Sequence, residues 1–413
     1  MSAILSLWYL LATLGAALLY RLLAPRIGRT GRSALLAAIS AGILWQFLSL
    51  SIYLPYLVLF AATIIGVASA MRGAHDRLKP WLLPLGVAAV TATMLAFKYP
   101  HFTTWVLGPV PSITAFSAIE WLGLSYFSFR AVDLLLVARS PLTKGFRAVD
   151  GIAYLLFFPP FVSGPINRFA NFVKDMDHGP RPLERASLRM AAFRFSWGVV
   201  KVVALSRLAW YWSLPVLPLD LANIEPGRAL LGLYAYFAYI YFEFSGYCDI
   251  VIVIGMLFGI RVPENFILPL TARNIQDFWN RWHISLSQWC RDHIFFPLMR
   301  ILGLNLPGIP MLAVSSLSIT ATFVFIGVWH GDSINWVVYG LYHGLGLSIW
   351  MVWREGLACL PDSVMDRWDA SNVVRGCSTF LTLNFVIWGL VLTLPAEQAR
   401  QFLALLVKAT SLS

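Results

Sequence analysis

The sequence predicts an all-α, polytopic membrane protein of roughly ten to twelve helices. Three observations carry that prediction. Apolar residues make up 59% of the 413 positions and charged residues only 12%, a balance that leaves lipid as the solvent for most of the surface. Apolar runs of about 20 residues, the length that crosses some 30 Å of hydrocarbon, recur almost from one end of the chain to the other. The cations sit in short segments between those runs, so the net charge of +11 reports membrane orientation and not nucleic-acid binding.

The run at 4–23 has no basic segment before it and no small-residue cleavage site after it, so it reads as a retained helix and not as a signal peptide. Runs at 34–51 and 55–71 follow. Arg26, Arg29 and Arg32 lie on one side of the 34–51 run and an uncharged turn with Pro55 on the other, which puts the N-terminus outside the cytoplasm. Arg72, Arg77 and Lys79 return the chain to the cytoplasmic side. Runs at 81–98 and 117–137 enclose an outer loop with Pro109 and Pro111, and Arg139, Lys144 and Arg147 bring the chain back again.

Residues 152–166 are too short to span and too rich in proline for a continuous helix. A re-entrant segment fits, and irregular backbone at depth requires protein or water to cover it. The runs 190–217 and 228–259 are joined by an outer loop, Pro218–Pro226. Residues 261–300 then interleave polar and charged positions with Phe266, Phe278, Trp279, Trp282, Trp289 and Phe295, the pattern of an amphipathic helix at the cytoplasmic boundary. Runs at 309–329, 333–353 and 378–395 and a short helix at 397–410 complete the chain. With no linker or internal repeat, one membrane domain over 1–413 is expected, with N-terminal helices over 1–115 and C-terminal helices over 354–413 flanking a core over 117–353.

Ionisable groups inside spans are expensive, so each needs a reason. They cluster in the second half. His330 closes an apolar run and precedes the polar turn Asp332-Ser333-Ile334-Asn335. An imidazole near neutral pKa is the side chain best able to take a proton from a hydroxyl, and burial would keep it neutral for that task. The same placement also suits a packed histidine bonded to a carbonyl. His283 lies in a dense mix of aromatics, cations and amides, Asn274 to Ser287. Much of that segment reads as an interfacial anchor, but Asn280, His283 and Ser287, three and four residues apart, would share one helical face and line a cavity. His343, between glycines, is equally a helix-packing residue. His293 belongs to the aqueous boundary, and His75, His101 and His178 to loops.

Several motifs are missing. No HxxxH or HExxH spacing, no GxSxG elbow, no Walker A loop and no HxxxxD arrangement occurs, which argues against di-iron, zinc-protease, serine-hydrolase and glycerolipid-acyltransferase readings. Cys248, Cys290, Cys359 and Cys377 show no metal-ligand spacing, so no metal is expected. A transporter with Arg130, Glu243 and Asp249 on an ion path is the competing class, although repeated halves are absent.

The ordered strings Gly123-Leu-Ser-Tyr-Phe-Ser-Phe129, Phe158-Pro-Pro-Phe-Val-Ser-Gly-Pro165, Tyr241-Phe-Glu-Phe-Ser-Gly-Tyr-Cys-Asp249, Phe258-Gly-Ile-Arg-Val-Pro-Glu-Asn-Phe266, Asp277-Phe-Trp-Asn-Arg-Trp-His-Ile-Ser-Leu-Ser287, Trp329-His330-Gly331 and Tyr339-Gly-Leu-Tyr-His343 resemble the membrane-bound O-acyltransferase family. Within it the wording is similar to a branch that passes D-alanine to teichoic acid, and next to a branch that acetylates alginate or cellulose. The resemblance implies a multi-pass protein of the plasma or inner membrane, with helices around a central tunnel and no tightly bound cofactor. An acyl thioester, on an acidic acyl carrier protein or coenzyme A, would arrive from the cytoplasm. A hydroxyl of an extracytoplasmic envelope polymer would wait outside, alone or brought by a partner protein. His330 would act as general base, and His283, with Asn280 or Ser287, would position the thioester. Trp282, Trp329, Tyr247, Glu243 and His343 would line the substrate path. Arg273, Arg281, Arg291 and Arg300 would receive the carrier, unless they only meet lipid headgroups.

Overall fold

The computed structural model describes residues 6–47, 54–73, 78–99, 123–140, 146–217, 224–357, 359, 361, 363 and 370–411. Arg77, Lys144, the loop with Pro109 and Pro111, the start of the 117–137 run, most of Pro218–Pro226, His75 and His101 lie outside them. The described residues are helical without a strand; their one β-bridge joins Phe266 to Trp282. Four of the helices are long and apolar enough to cross a membrane, Leu7–Arg26, Pro226–Leu257, Met311–His330 and Asn372–Thr393, and Leu57–Gly73 and Pro80–Ala96 carry shorter apolar stretches. The contacts divide the chain into two compact units, Met1–Val199 with Tyr247–Pro263, and Val200–Gly246 with Glu264–Ser413.

In the first unit, α1 (Leu7–Leu23), α2 (Arg29–Phe47), α3 (Leu54–Gly73), α4 (Lys79–Lys98) and α5 (Leu124–Arg139) are followed by the shorter α6 (Ala148–Leu156) and α7 (Phe169–His178), then α8 (Arg185–Val200). Residues 157–167 are irregular and covered by protein, with Phe157, Phe158, Phe161 and Ile166 all buried. Buried polar groups hold them, as backbone without helical partners demands. Arg130, 2% exposed, donates from Nη1 to the carbonyls of Tyr154 and Phe157, at 3.0 and 3.1 Å, at the end of α6. Asp133 accepts from the Phe169 backbone N–H at 2.7 Å, from Arg168 Nη1 at 3.0 Å and from the Tyr154 hydroxyl at 3.3 Å. Tyr247 donates from its hydroxyl to Pro159 O at 3.2 Å. Asp249 pairs with Arg194 at 2.8 Å. Arg130 and Asp249, candidates for an ion path, are therefore spent on structure.

In the second unit a π-turn, Lys201–Leu205, leads into α9 (Ser206–Trp212), then come α10 (Pro226–Leu257, whose last turns belong to the first unit), α11 (Ile275–Arg281), α12 (Ile284–Cys290), a second π-turn at Arg291–Phe295, α13 (Phe296–Asn305), α14 (Met311–His330), α15 (Ile334–Leu357), α16 (Asn372–Gly389) and α17 (Ala396–Ser411). The tightest pair is the antiparallel hairpin of α14 and α15. A Cβ on Gly340 would come within 2.8 Å of Val324 Cα, and one on Gly344 within 2.7 Å of Thr320 Cα. Glycine there lets the two backbones touch, the usual means of packing helices where lipid offers no hydrophobic drive.

Candidate active site

The expected continuous helix over 261–300 is broken. α11 begins at Asn274, whose side chain accepts from the Asp277 N–H at 2.8 Å, and ends at Trp282, which is extended. His283 follows in the left-handed region, φ 45 and ψ 48, and starts α12. Such a backbone costs a non-glycine residue on the order of 1–3 kcal/mol and persists only where its surroundings fix it. Here Asn265 fixes it. Its carbonyl accepts from the Ile284 N–H at 3.1 Å, and its side-chain oxygen accepts from the Ser285 N–H at 3.0 Å and from Ser285 Oγ at 2.6 Å. Ile267 N–H donates to Arg281 O at 3.0 Å on the other side of the break. Asn280, His283 and Ser287 do not share the expected helical face, because no helix runs through all three. Tertiary contact restores part of it: Asn280 and Ser287 both line one cavity.

His283 is 5% exposed, with its ring edge-on to Phe244 at 4.7 Å. It lies outside the spanning helices. Burial, and in second place the charge of His330, push its pKa down from 6.5 to about 3, so it is neutral at physiological pH. His330, expected to be buried, is exposed at the C-terminal end of α14. Aromatic packing orients it instead. The ring stacks on Trp336 at 4.9 Å and 20°, lies 4.7 Å from Trp329, and meets the edge of Tyr339 at 6.5 Å. Gly331 permits this, since a Cβ there would enter the Trp336 indole.

The cavity measures about 470 Å³. Gln276, Trp279 and Asn280 of α11, Ser287 and Cys290 of α12 and Arg291 and Phe295 of the π-turn form one side. Leu312, Ile319, Thr322, Phe323 and Ile326 of α14 and Leu347, Met351, Arg354 and Glu355 of α15 form the other. The α14 positions 312, 319, 323 and 326 step by seven, four and three residues along one helical face, and four more residues reach His330. The α14 face that lines the cavity thus continues toward His330, which is not itself among the lining residues, over about 27 Å of helix from Leu312 at 1.5 Å per residue. Arg354 and Glu355 lie at the far end of the hairpin, beside the start of α14.

The other sequence candidates separate. Trp282 stacks between Phe278, at 5.4 Å, and Phe237, at 5.6 Å. Trp329 is buried against His330. Glu243 is buried and accepts from Ser206 Oγ at 2.7 Å, so it too serves packing. Tyr247 belongs to the first unit, where it holds residues 159–163. His343 is fully buried in an aromatic box of Trp279, Phe323, Tyr339, Tyr342 and Phe385, with ring centroids 4.5 to 6.3 Å away. Among the cations, Arg291 lines the cavity and pairs with Asp292 at 3.2 Å, Arg281 is tied to Asp277 at 2.7 Å, and Arg273 and Arg300 are exposed. No group of His, Cys, Asp or Glu among the described residues suits a metal ion. Sequence reasoning missed Trp279 and Trp336 as site residues; Trp336, six positions after His330, had only its aromatic character as a signal.

Comparison with known proteins decides the family. Residues 116–392 match the membrane-bound O-acyltransferase family. The chain belongs to that family. It is 32% identical over 307 residues to the teichoic acid D-alanyltransferase of Bacillus subtilis, covering 73% of this chain and 75% of that one. The enzyme of the same description from Streptococcus thermophilus is 29% identical over 83% of this chain and 81% of its own. The probable alginate O-acetylase of Pseudomonas aeruginosa is 30% identical over 71% of this chain, a match that spans 57% of that longer protein. The protein is accordingly a membrane O-acyltransferase, and the transporter reading is set aside.

Proposed function

We propose that the protein moves a D-alanyl group from a cytoplasmic thioester to a hydroxyl of an envelope polymer outside the plasma membrane, with His330 as general base. The observation that supports this reading most is the continuity of the α14 face, from the apolar cavity wall at Leu312, Ile319, Phe323 and Ile326 to His330. A narrow thioester arm entering beside Arg291 and Arg354 would follow that face, while a hydroxyl would reach the exposed ring from its open side. The acceptor oxygen attacks the thioester carbon as His330 takes its proton; the C–S bond breaks, and the proton passes to the departing sulfur. His283, neutral and rigidly placed, assists by orientation and not by acid chemistry. The charged mouth, with Arg291 exposed on it, suits an acidic carrier protein. The N-terminus on the outer face follows from the distribution of Arg and Lys.

The first two relatives support D-alanyl transfer to teichoic acid. An acetyl donor with a polysaccharide acceptor is the second reading, favoured by the comparable identity to the alginate O-acetylase. Purified protein given labelled D-alanyl or acetyl thioester and each polymer distinguishes the two by which label is transferred. General-base assistance is worth about 10² to 10⁴ in rate, so His330→Ala should lose at least 100-fold in kcat with normal expression. A His330→Ala protein that still acylates at the wild-type rate removes the role.

A further inference from the structure

His330 carries a positive charge at one stage of the proposed reaction, between taking the acceptor's proton and passing it to the departing sulfur. The aromatic rings around it differ in how they meet that charge. Trp329 is tilted by 59° at 4.7 Å and Tyr339 stands at 89° and 6.5 Å, whereas Trp336 lies nearly parallel, at 20° and 4.9 Å. An indole face is electron-rich, and a cation within about 6 Å of its centroid is attracted to it. Two glycines, four residues apart at the end of α14, make room for the stack. A Cβ on Gly327 would collide with the Trp336 carbonyl, and one on Gly331 would enter the indole. The first turn of α15 is pinned as well: the Trp336 N–H donates to Ser333 O at 3.0 Å, and Asn335 Nδ2 donates to Leu394 O at 2.9 Å.

We propose that the indole face of Trp336 stabilises the His330 imidazolium that forms during acyl transfer, making Trp336 a positioning residue that speeds the chemical step. The proposal rests on the acyl-transfer reading above. The charge exists only while the proton is in transit, so the contact is stronger in the transition state than in the resting enzyme. It therefore acts on kcat and not on the binding of donor or acceptor. His330 is exposed and Trp336 half-buried, so water competes for the charge, and the contact belongs at the weak end of its range, about two- to fivefold in rate. That is well below the loss expected on removing the base itself, which separates the two roles.

The test uses the full-length protein in detergent, with tryptophans carrying one to four fluorines introduced at 336 by suppression. Fluorine drains electron density from the indole face and hardly changes its shape. The logarithm of kcat should fall in step with the number of fluorines, to a loss of about two- to fivefold with four, while KM for donor and acceptor stays within two-fold of wild type. Trp336→Phe, which keeps a weaker aromatic face, should lose less than Trp336→Leu, which has none. A kcat that is flat across the fluorine series, or that falls as far with one fluorine as with four, assigns Trp336 to packing alone and overturns the proposal. The singly fluorinated protein also answers without turnover. Its fluorine NMR resonance should move as acid charges the stacked imidazole, and His330→Gln should abolish that movement. Tyr339, His283 and the exposed Asp332 are the other titratable groups near the ring, so only the movement that His330→Gln removes counts. A resonance indifferent to His330 overturns the proposal. One that responds to His330, in a protein that transfers no acyl group, defeats the acyl-transfer reading alone.

Discussion

Gly344→Ala probes whether the α14–α15 contact controls the site. A Cβ at 344 would lie 2.7 Å from Thr320 Cα and 3.2 Å from Thr320 O. Ordinary contact begins near 3.4 Å, so the backbones must separate by about 0.7 Å, the difference of 3.4 and 2.7. Neither atom can yield as a flexible side chain would, because both belong to the helix backbone. The displaced segment of α14 carries Phe323 and Ile326 of the cavity wall, and His330 one turn further on. Overpacking of this kind costs about 1–3 kcal/mol in stability, and a misplacement approaching 1 Å at reacting groups costs up to about 100-fold in rate. Gly344→Ala should therefore lower Tm in detergent and reduce kcat/KM for acyl transfer by tenfold or more. Gly356, on the same helix with nothing within 4 Å of its would-be Cβ, is the control; alanine there should be neutral or stabilising by up to about 1 kcal/mol. If Gly344→Ala matches wild type in both Tm and turnover, the hairpin does not set the geometry of the site.

Three further outcomes follow from particular contacts. Asp133→Leu removes the acceptor of Phe169 N–H and of Arg168; with Arg168 partly exposed, the loss should be about 2–4 kcal/mol by denaturant unfolding in micelles. His283 has its pKa depressed in the folded state, so between about 3 and 6.5 the unfolded chain binds the extra proton and stability falls as pH falls. Wild type should lose up to about 1.4 kcal/mol per pH unit below 6.5 from this group, and His283→Gln should show a correspondingly flatter Tm between pH 7 and 5. Arg291→Glu should weaken capture of an acidic acyl carrier protein in detergent by fivefold or more and lessen its salt dependence, whereas a role confined to lipid headgroups leaves carrier affinity unchanged.

Composition and apolar runs determined the fold class on their own, because a lipid solvent leaves helices as the simplest way to satisfy every backbone group of such a chain. The runs at 4–23, 228–259 and 309–329 became α1, α10 and α14 nearly to the residue, and the position of His330 at a helix end was legible from the Gly331 and polar turn that follow it. Its exposure was not, since that depends on Trp329, Trp336 and Tyr339 meeting it from separate turns. The break at His283 was equally hidden: its spacing from Asn280 and Ser287 is helical, and only the hydrogen bonds of Asn265, eighteen residues earlier, hold the ring's backbone in a left-handed turn. Periodicity reports which faces a chain prefers to bury; which side chains converge on a cavity is settled by contacts between segments distant in sequence, and those have no period to read.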